Sequence, residues 1–112
     1  MSDAIDLDHL ARYTGGEKAM NAEILKLFDG QISEMVGQLR TVIAARDSKR
    51  WKEITHTIKG AARGVGAFAF GEAAAAAEPV DPANGERATQ AVSRLSEEAM
   101  AVHDFIRAYL AA

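Results

Sequence analysis

The sequence predicts an all-α fold, a four-helix bundle with an additional short helix at its N-terminus. Three observations carry that expectation. Alternation of β-branched or aromatic residues at period two is absent, the only prolines are Pro79 and Pro82, and two long stretches repeat apolar residues at spacings of three and four.

The first helix is expected to start near Asp6 or Asp8, either of which can cap it, and to stop at Gly15-Gly16. Thr14-Gly15-Gly16-Glu17 matches the S/T-x-x-E capping box and is expected to open the second helix. That helix carries Met20, Ile24, Phe28, Ile32, Met35, Leu39 and Val42 on one stripe, with Gly30 and Gly37 inside the pattern. Asp47-Ser48 can cap a third helix that runs to Gly64-Val65-Gly66. Ala67 to Glu78 follows as a short alanine-rich helix ended by Pro79, and small side chains there permit close helix approach. A loop covers Pro79 to Gly85. The last helix carries Ala88, Val92, Leu95, Ala99, Val102, Ile106 and Tyr109 at alternating spacings of four and three, which is bundle packing chemistry.

Composition narrows the function classes. At 112 residues, with 26% charged and 48% hydrophobic residues, the chain suits one soluble domain with its own core. It contains no cysteine, which removes thiol nucleophiles, thiolate zinc sites and disulfides together. The start, Met1-Ser2-Asp3-Ala4, lacks a basic region leading into an apolar run, so a cytoplasmic location is the expectation. A net charge of −3 argues against nucleic acid as a partner, yet the charge is unevenly spread. Between Arg46 and Arg63 six basic residues face only Asp47 and Glu53, giving this window +4 and leaving −7 for the rest of the chain.

That basic window is the third helix. On a wheel of about 100° per residue with Ile54 as zero, Trp51, Ile58 and Val65 fall at about 60°, 40° and 20° and define the core face. His56, Lys59, Gly60, Arg63 and Lys52 fall at about 200°, 140°, 240°, 180° and 160°, on the opposite side. The histidine therefore points to solvent. Lys59 at i+3 and Arg63 at i+7 share its face, so an anion on the imidazole would lie within reach of two cations. Gly60 at i+4 removes a side chain beside the ring and weakens the helix, an odd choice for stability but a useful one for access.

Cations near an imidazole favour its neutral form, and a neutral imidazole is a good nitrogen nucleophile near pH 7. The same cations stabilise the charge that arrives with a phosphoryl group. The sequence offers no carboxylate at catalytic spacing, no glycine-rich nucleotide loop and no metal cluster. The site thus reads as an acceptor and donor whose catalytic apparatus lies on another protein.

His56-Thr57-Ile58-Lys59-Gly60, with Gly66-Ala67 ten and eleven residues beyond the histidine, resembles the signature of the histidine-containing phosphotransfer (HPt) family. Gly15-Gly16, the apolar second helix with Phe28, Asp47 ahead of the histidine helix and Glu78 closing the next helix also fit it. The resemblance implies a single HPt domain over residues 1–112 with an up-down four-helix bundle. It implies a phosphocarrier, not an enzyme, that moves a phosphoryl group between receiver-domain aspartates of response regulators and hybrid histidine kinases. His56 would be the phosphorylated residue, through Nε2. Lys59 would stabilise the phosphate charge and Gly60 would leave room for the receiver. The helix wheel adds Arg63 as a second cation for the phosphate, and Lys52, Gly60, Arg63 and Gly66 are expected to contact the receiver. Gly66 would also permit the chain turn at the helix end. No cofactor is expected on this chain, with Mg²⁺ held by the receiver. The chain departs from the family pattern at Ala61 and Ala62, often serine, and at Arg63, more often small or polar.

His9 and His103 lack the spacing of a helical metal pair and are expected at the surface or its boundary. Trp51, Phe28 and Phe105 are expected in the core, and one of Phe68 and Phe70 partly exposed. Two other functions fit the helix pattern: the phosphoacceptor domain of a chemotaxis-type kinase, disfavoured by a 112-residue chain, and a helical adaptor or nucleic-acid binder that never becomes phosphorylated. A monomer is expected, because every apolar stripe finds a partner within the bundle.

Overall fold

The computed structural model describes residues 3–112, and among them it contains five helices and no strand. They are α1 (Leu7–Thr14), α2 (Lys18–Ala45), α3 (Ser48–Val65), α4 (Phe68–Ala77) and α5 (Gly85–Ala111). Helices α2 to α5 form the bundle: α2 packs on α3 and α5, α4 packs on α3 and α5, and α1 lies against α2 and α3. The body measures 43 × 24 × 21 Å, and its long dimension is about that of the 28-residue α2 at 1.5 Å per residue.

Local chemistry sets most boundaries as expected. Asp6 caps α1 by accepting from the His9 amide, and Gly15 ends it in the left-handed region. Asp47 caps α3 by accepting from Arg50 N, and Asn84 caps α5 by accepting from Arg87 N. The reverse turn into α3 places the non-glycine Arg46 at φ 53°.

The Thr14–Glu17 capping box does not form. Glu17 is itself the N-cap of α2 and makes no side-chain cap bond, while Thr14 is the last residue of α1. Thr14 is buried, and its hydroxyl reaches the Leu10 carbonyl and Asn21 Oδ1 while accepting from Gly16 N. The Asn21 amide in turn donates to Tyr109 OH at 3.2 Å. A tertiary polar network thus claimed the hydroxyl that the local motif would have used.

The same network rotates the start of the α2 stripe. Asn21 and Leu25 are buried there, and Met20 is 45% exposed. From Phe28 onward the expected stripe holds through Ile32, Leu39 and Val42, joined by Val36, while Ile24 and Met35 only flank the core. Trp51 and Phe28 are core residues, Phe105 packs at its edge, and of the two phenylalanines after the motif Phe70 is buried while Phe68 is exposed. Burial of such side chains supplies the main driving force, about 1.5–3 kcal/mol for each large one.

The corner between α3 and α4 is the tightest feature. Gly66 has φ +91°, and a Cβ on it would sit 2.7 Å from the Asp6 carbonyl oxygen. Its own carbonyl accepts from the Asp6 amide at 2.9 Å. Only glycine satisfies both demands. The N-terminal segment is thereby latched onto the turn, and α3 and α4 leave it as an antiparallel hairpin.

Candidate functional site

Packing of α3 on α4 builds the site. Gly71 of α4 lets the helices approach, since a Cβ there would meet the Arg63 side chain at 3.2 Å and Ala62 Cβ at 3.5 Å. Ala74 and Ala77 are buried along the same seam. Trp51, fully buried, donates its indole N–H to the Ala77 carbonyl at 2.9 Å and pins the end of α4 to α3. The residue after Ala77 is Glu78, so this bond fixes where the Glu78 carboxylate stands.

Glu78 stands between His56 and Lys59. Its Oε2 accepts from Lys59 Nζ at 2.7 Å, and its Oε1 lies 3.4 Å from His56 Nδ1. The His56 side chain is 70% exposed, whereas those of Lys59 and Glu78 are 22% and 27% exposed. The hydrogen bond from Lys59 holds the Glu78 carboxyl below the usual carboxylate range, opposed by partial burial and helped by the Lys59 charge and by the neighbouring His56 ring. A carboxylate can only accept hydrogen bonds, so it favours the imidazole tautomer with its proton on Nδ1. Nε2 then carries the lone pair, and it makes no hydrogen bond among the described residues.

Threonines flank the histidine without competing for it. Thr55 is buried and donates to the Trp51 carbonyl at 2.9 Å, and Thr57 donates to the Glu53 carbonyl at 2.8 Å. Both hydroxyls are satisfied within α3. Gly60 is exposed, and a Cβ built on it meets nothing within 4 Å, so the backbone one turn from His56 is bare. Lys52 and Arg63 are exposed and make no ion pair among the described residues.

Three expectations need correcting. A carboxylate partner does exist: it comes from the next helix, 22 positions along the chain, where no intrahelical spacing could reveal it. The group that faces the ring's Nδ1 is therefore an anion, and Lys59 is already held by that anion. Gly66 is buried beneath Asp6, so it shapes the fold from within. Val65, placed on the core face, is only half-buried, while Thr55 and Ala62 lie fully inside.

The Glu78 contact does have a sequence signal. A turn as short as Gly66-Ala67 makes α3 and α4 a hairpin in which residues equidistant from the turn face each other, which places His56 opposite the Ala77–Glu78 end of α4. The other histidines lie elsewhere. His9 is half-buried with its ring edge-on to Phe68 and Tyr13, and its Nε2 has no partner among the described residues. His103 of α5 pairs through Nδ1 with both oxygens of Asp29 on α2 at 2.9 Å. Among the described residues no cluster of three or more metal-ligating side chains occurs, and no helix is long and apolar enough to cross a membrane.

A helical bundle that offers one unencumbered imidazole nitrogen beside bare backbone, with its second nitrogen held by a carboxylate, has the form of a histidine phosphoacceptor domain. The model of the Hpt domain family matches residues 23–111, and the chain belongs to that family. No curated protein and no solved structure matches it. Hpt domains are phosphocarriers of phosphorelays that interact with receiver domains, so the class of function is histidine phosphotransfer. Helix α1 precedes the matched segment and caps it at the Gly66 corner.

Proposed function

We propose that this protein is a cytoplasmic, monomeric phosphorelay intermediate that accepts a phosphoryl group on His56 Nε2 from a receiver-domain aspartate and passes it to another receiver. The single observation that carries this reading is the state of the His56 ring: exposed at Nε2, held at Nδ1 by Glu78, and next to the bare Gly60 backbone.

The Nε2 lone pair attacks the phosphorus of the aspartyl phosphate in line, the N–P bond forms as the P–O bond to the aspartate breaks, and the aspartate leaves as a carboxylate. The Nδ1 proton stays on the ring, and the Glu78 carboxylate stabilises the positive charge that the phosphorylated imidazole gains. Return transfer retraces these steps with the next receiver. Mg²⁺ belongs to the receiver and supplies charge neutralisation there; this chain brings the nucleophile and its setting, and has no turnover of its own.

In this scheme Arg63 and Lys59 stabilise phosphate charge, with Lys59 turning from Glu78 towards the new anion. Gly60 gives the receiver steric access, and Lys52, Gly60 and Arg63 lie in the contact. The test is incubation of purified protein with receiver domains phosphorylated by acetyl phosphate in the presence of Mg²⁺. Acid-labile, base-stable phosphate on wild type and none on His56→Gln, with helical content unchanged, is the expected result. Labelling retained by His56→Gln would reject the assignment.

A further inference from the structure

The cations of α3 form a ridge whose members differ in one respect that matters for docking. Lys49, Lys52, His56, Lys59 and Arg63 recur at about one per helical turn and lie within about 80° of one another on α3, a line roughly 21 Å long. Lys59 is neutralised by Glu78 at 2.7 Å. Lys49, Lys52 and Arg63 are exposed and have no carboxylate partner among the described residues, whereas Arg50, off this line, pairs with Glu53 at 3.6 Å. The free cations therefore flank the histidine on both sides, seven and four residues before it and seven after it.

We infer that this ridge divides its labour: Lys49, Lys52 and Arg63 steer and orient the incoming acidic face of a receiver domain, while the neutralised Lys59 acts only after phosphoryl transfer has begun. The inference rests on the phosphocarrier reading above. The occupant follows from charge complementarity, since a protein that presents an aspartyl phosphate beside the carboxylates of a Mg²⁺ site keeps net negative charge where it must meet His56, the ion offsetting only part of it. Unpaired surface cations act over about a Debye length, roughly 10 Å at 0.1 M salt, and such fields raise association rates by about 10- to 1000-fold in favourable cases. A cation closed on a carboxylate contributes little to that field. The rest of the chain is net acidic, so steering depends on where the charge lies and not on how much there is.

The decisive measurement is phosphotransfer kinetics from an acetyl-phosphate-charged receiver, with carrier concentration and salt both varied. Lys→Gln keeps helix propensity while removing charge. Lys49→Gln/Lys52→Gln is expected to raise the half-saturating concentration by about 3- to 10-fold at low salt, with an unchanged rate at saturation, and to match wild type at 0.5 M salt or roughly so. The control is Arg94→Gln/Arg107→Gln, which removes the same charge from exposed positions of α5, a helix that does not touch α3. That pair is expected to change the half-saturating concentration by less than about twofold. Equal effects from the two pairs, or a fall in the saturating rate with the ridge variant, would overturn the division of labour while leaving the carrier reading intact. A wild type that accepts no phosphate from any receiver overturns both. Salt-sensitive capture of duplex DNA by wild type, lost in the ridge variant without any effect on transfer, would assign the ridge to nucleic acid instead.

Discussion

Among the described residues there are two histidine–carboxylate pairs, one on each of two helix seams, and they differ in exposure and in company. On the α3–α4 seam His56 Nδ1 stands 3.4 Å from Glu78 with 70% of its side chain exposed, and a lysine shares the carboxylate. On the α2–α5 seam His103 Nδ1 is 2.9 Å from both oxygens of Asp29, and the two side chains are 40% and 21% exposed. The second pair is the tighter one, and among the described residues no other cation shares its carboxylate. Proximity of an imidazole to a carboxylate is therefore common to both seams, and what sets His56 apart is its greater exposure, the bare backbone at Gly60 and the free cations on the same face.

The sharpest way to break the comparison is to exchange the histidines one at a time. His56→Gln should abolish acid-labile phosphorylation, and His103→Gln should leave its rate within about twofold of wild type. Label found on His103 would remove the distinction. Next in size, Glu78→Gln should slow transfer about tenfold, the scale expected when a group that orients and polarises an imidazole loses its charge, with the half-saturating concentration little altered. This variant also reads the pH dependence of stability. Because Lys59 depresses the Glu78 pKa, the pair stabilises the fold fully above the ordinary value of 4.5 and is lost as pH falls through the lowered folded value. Denaturation curves of wild type should thus converge on those of Glu78→Gln on acidification below that range.

On the other seam Asp29→Asn should lower unfolding free energy by about 1 kcal/mol at neutral pH with transfer unchanged, as befits a half-buried structural pair. The smallest effect is the most discriminating. Gly60→Ala should stabilise α3 by about 0.5–1 kcal/mol, because the position is helical and open, yet slow transfer by about two- to threefold if a receiver uses the bare backbone. A variant both more stable and faster would show that Gly60 has no part in access.

Most of the helical framework was legible because its causes are local. Asp6 and Asp47 each cap the helix that follows, Gly15 and Gly66 end helices in the left-handed region, and the α5 stripe from Ala88 to Ile106 faces the core. The wheel of α3 placed His56, Lys52, Gly60 and Arg63 outward, since helical periodicity fixes direction before any neighbour is known. Where the local reading failed, a distant partner had intervened. Thr14 left its capping box for Asn21 and the Leu10 carbonyl, which turned the first two turns of α2 and left Met20 exposed.

By itself the sequence determined an all-helical chain, most of its helix ends and a cationic helix face with a histidine at its centre. Only the tertiary structure decided what that histidine meets. The close α3–α4 approach at Gly71 and the Trp51 bond to the Ala77 carbonyl bring Glu78 to the ring, and the same carboxylate neutralises Lys59 while leaving Lys52 and Arg63 free. Periodicity specifies the direction in which a side chain leaves its own helix, but a contact between helices also depends on their separation and register, which packing sets.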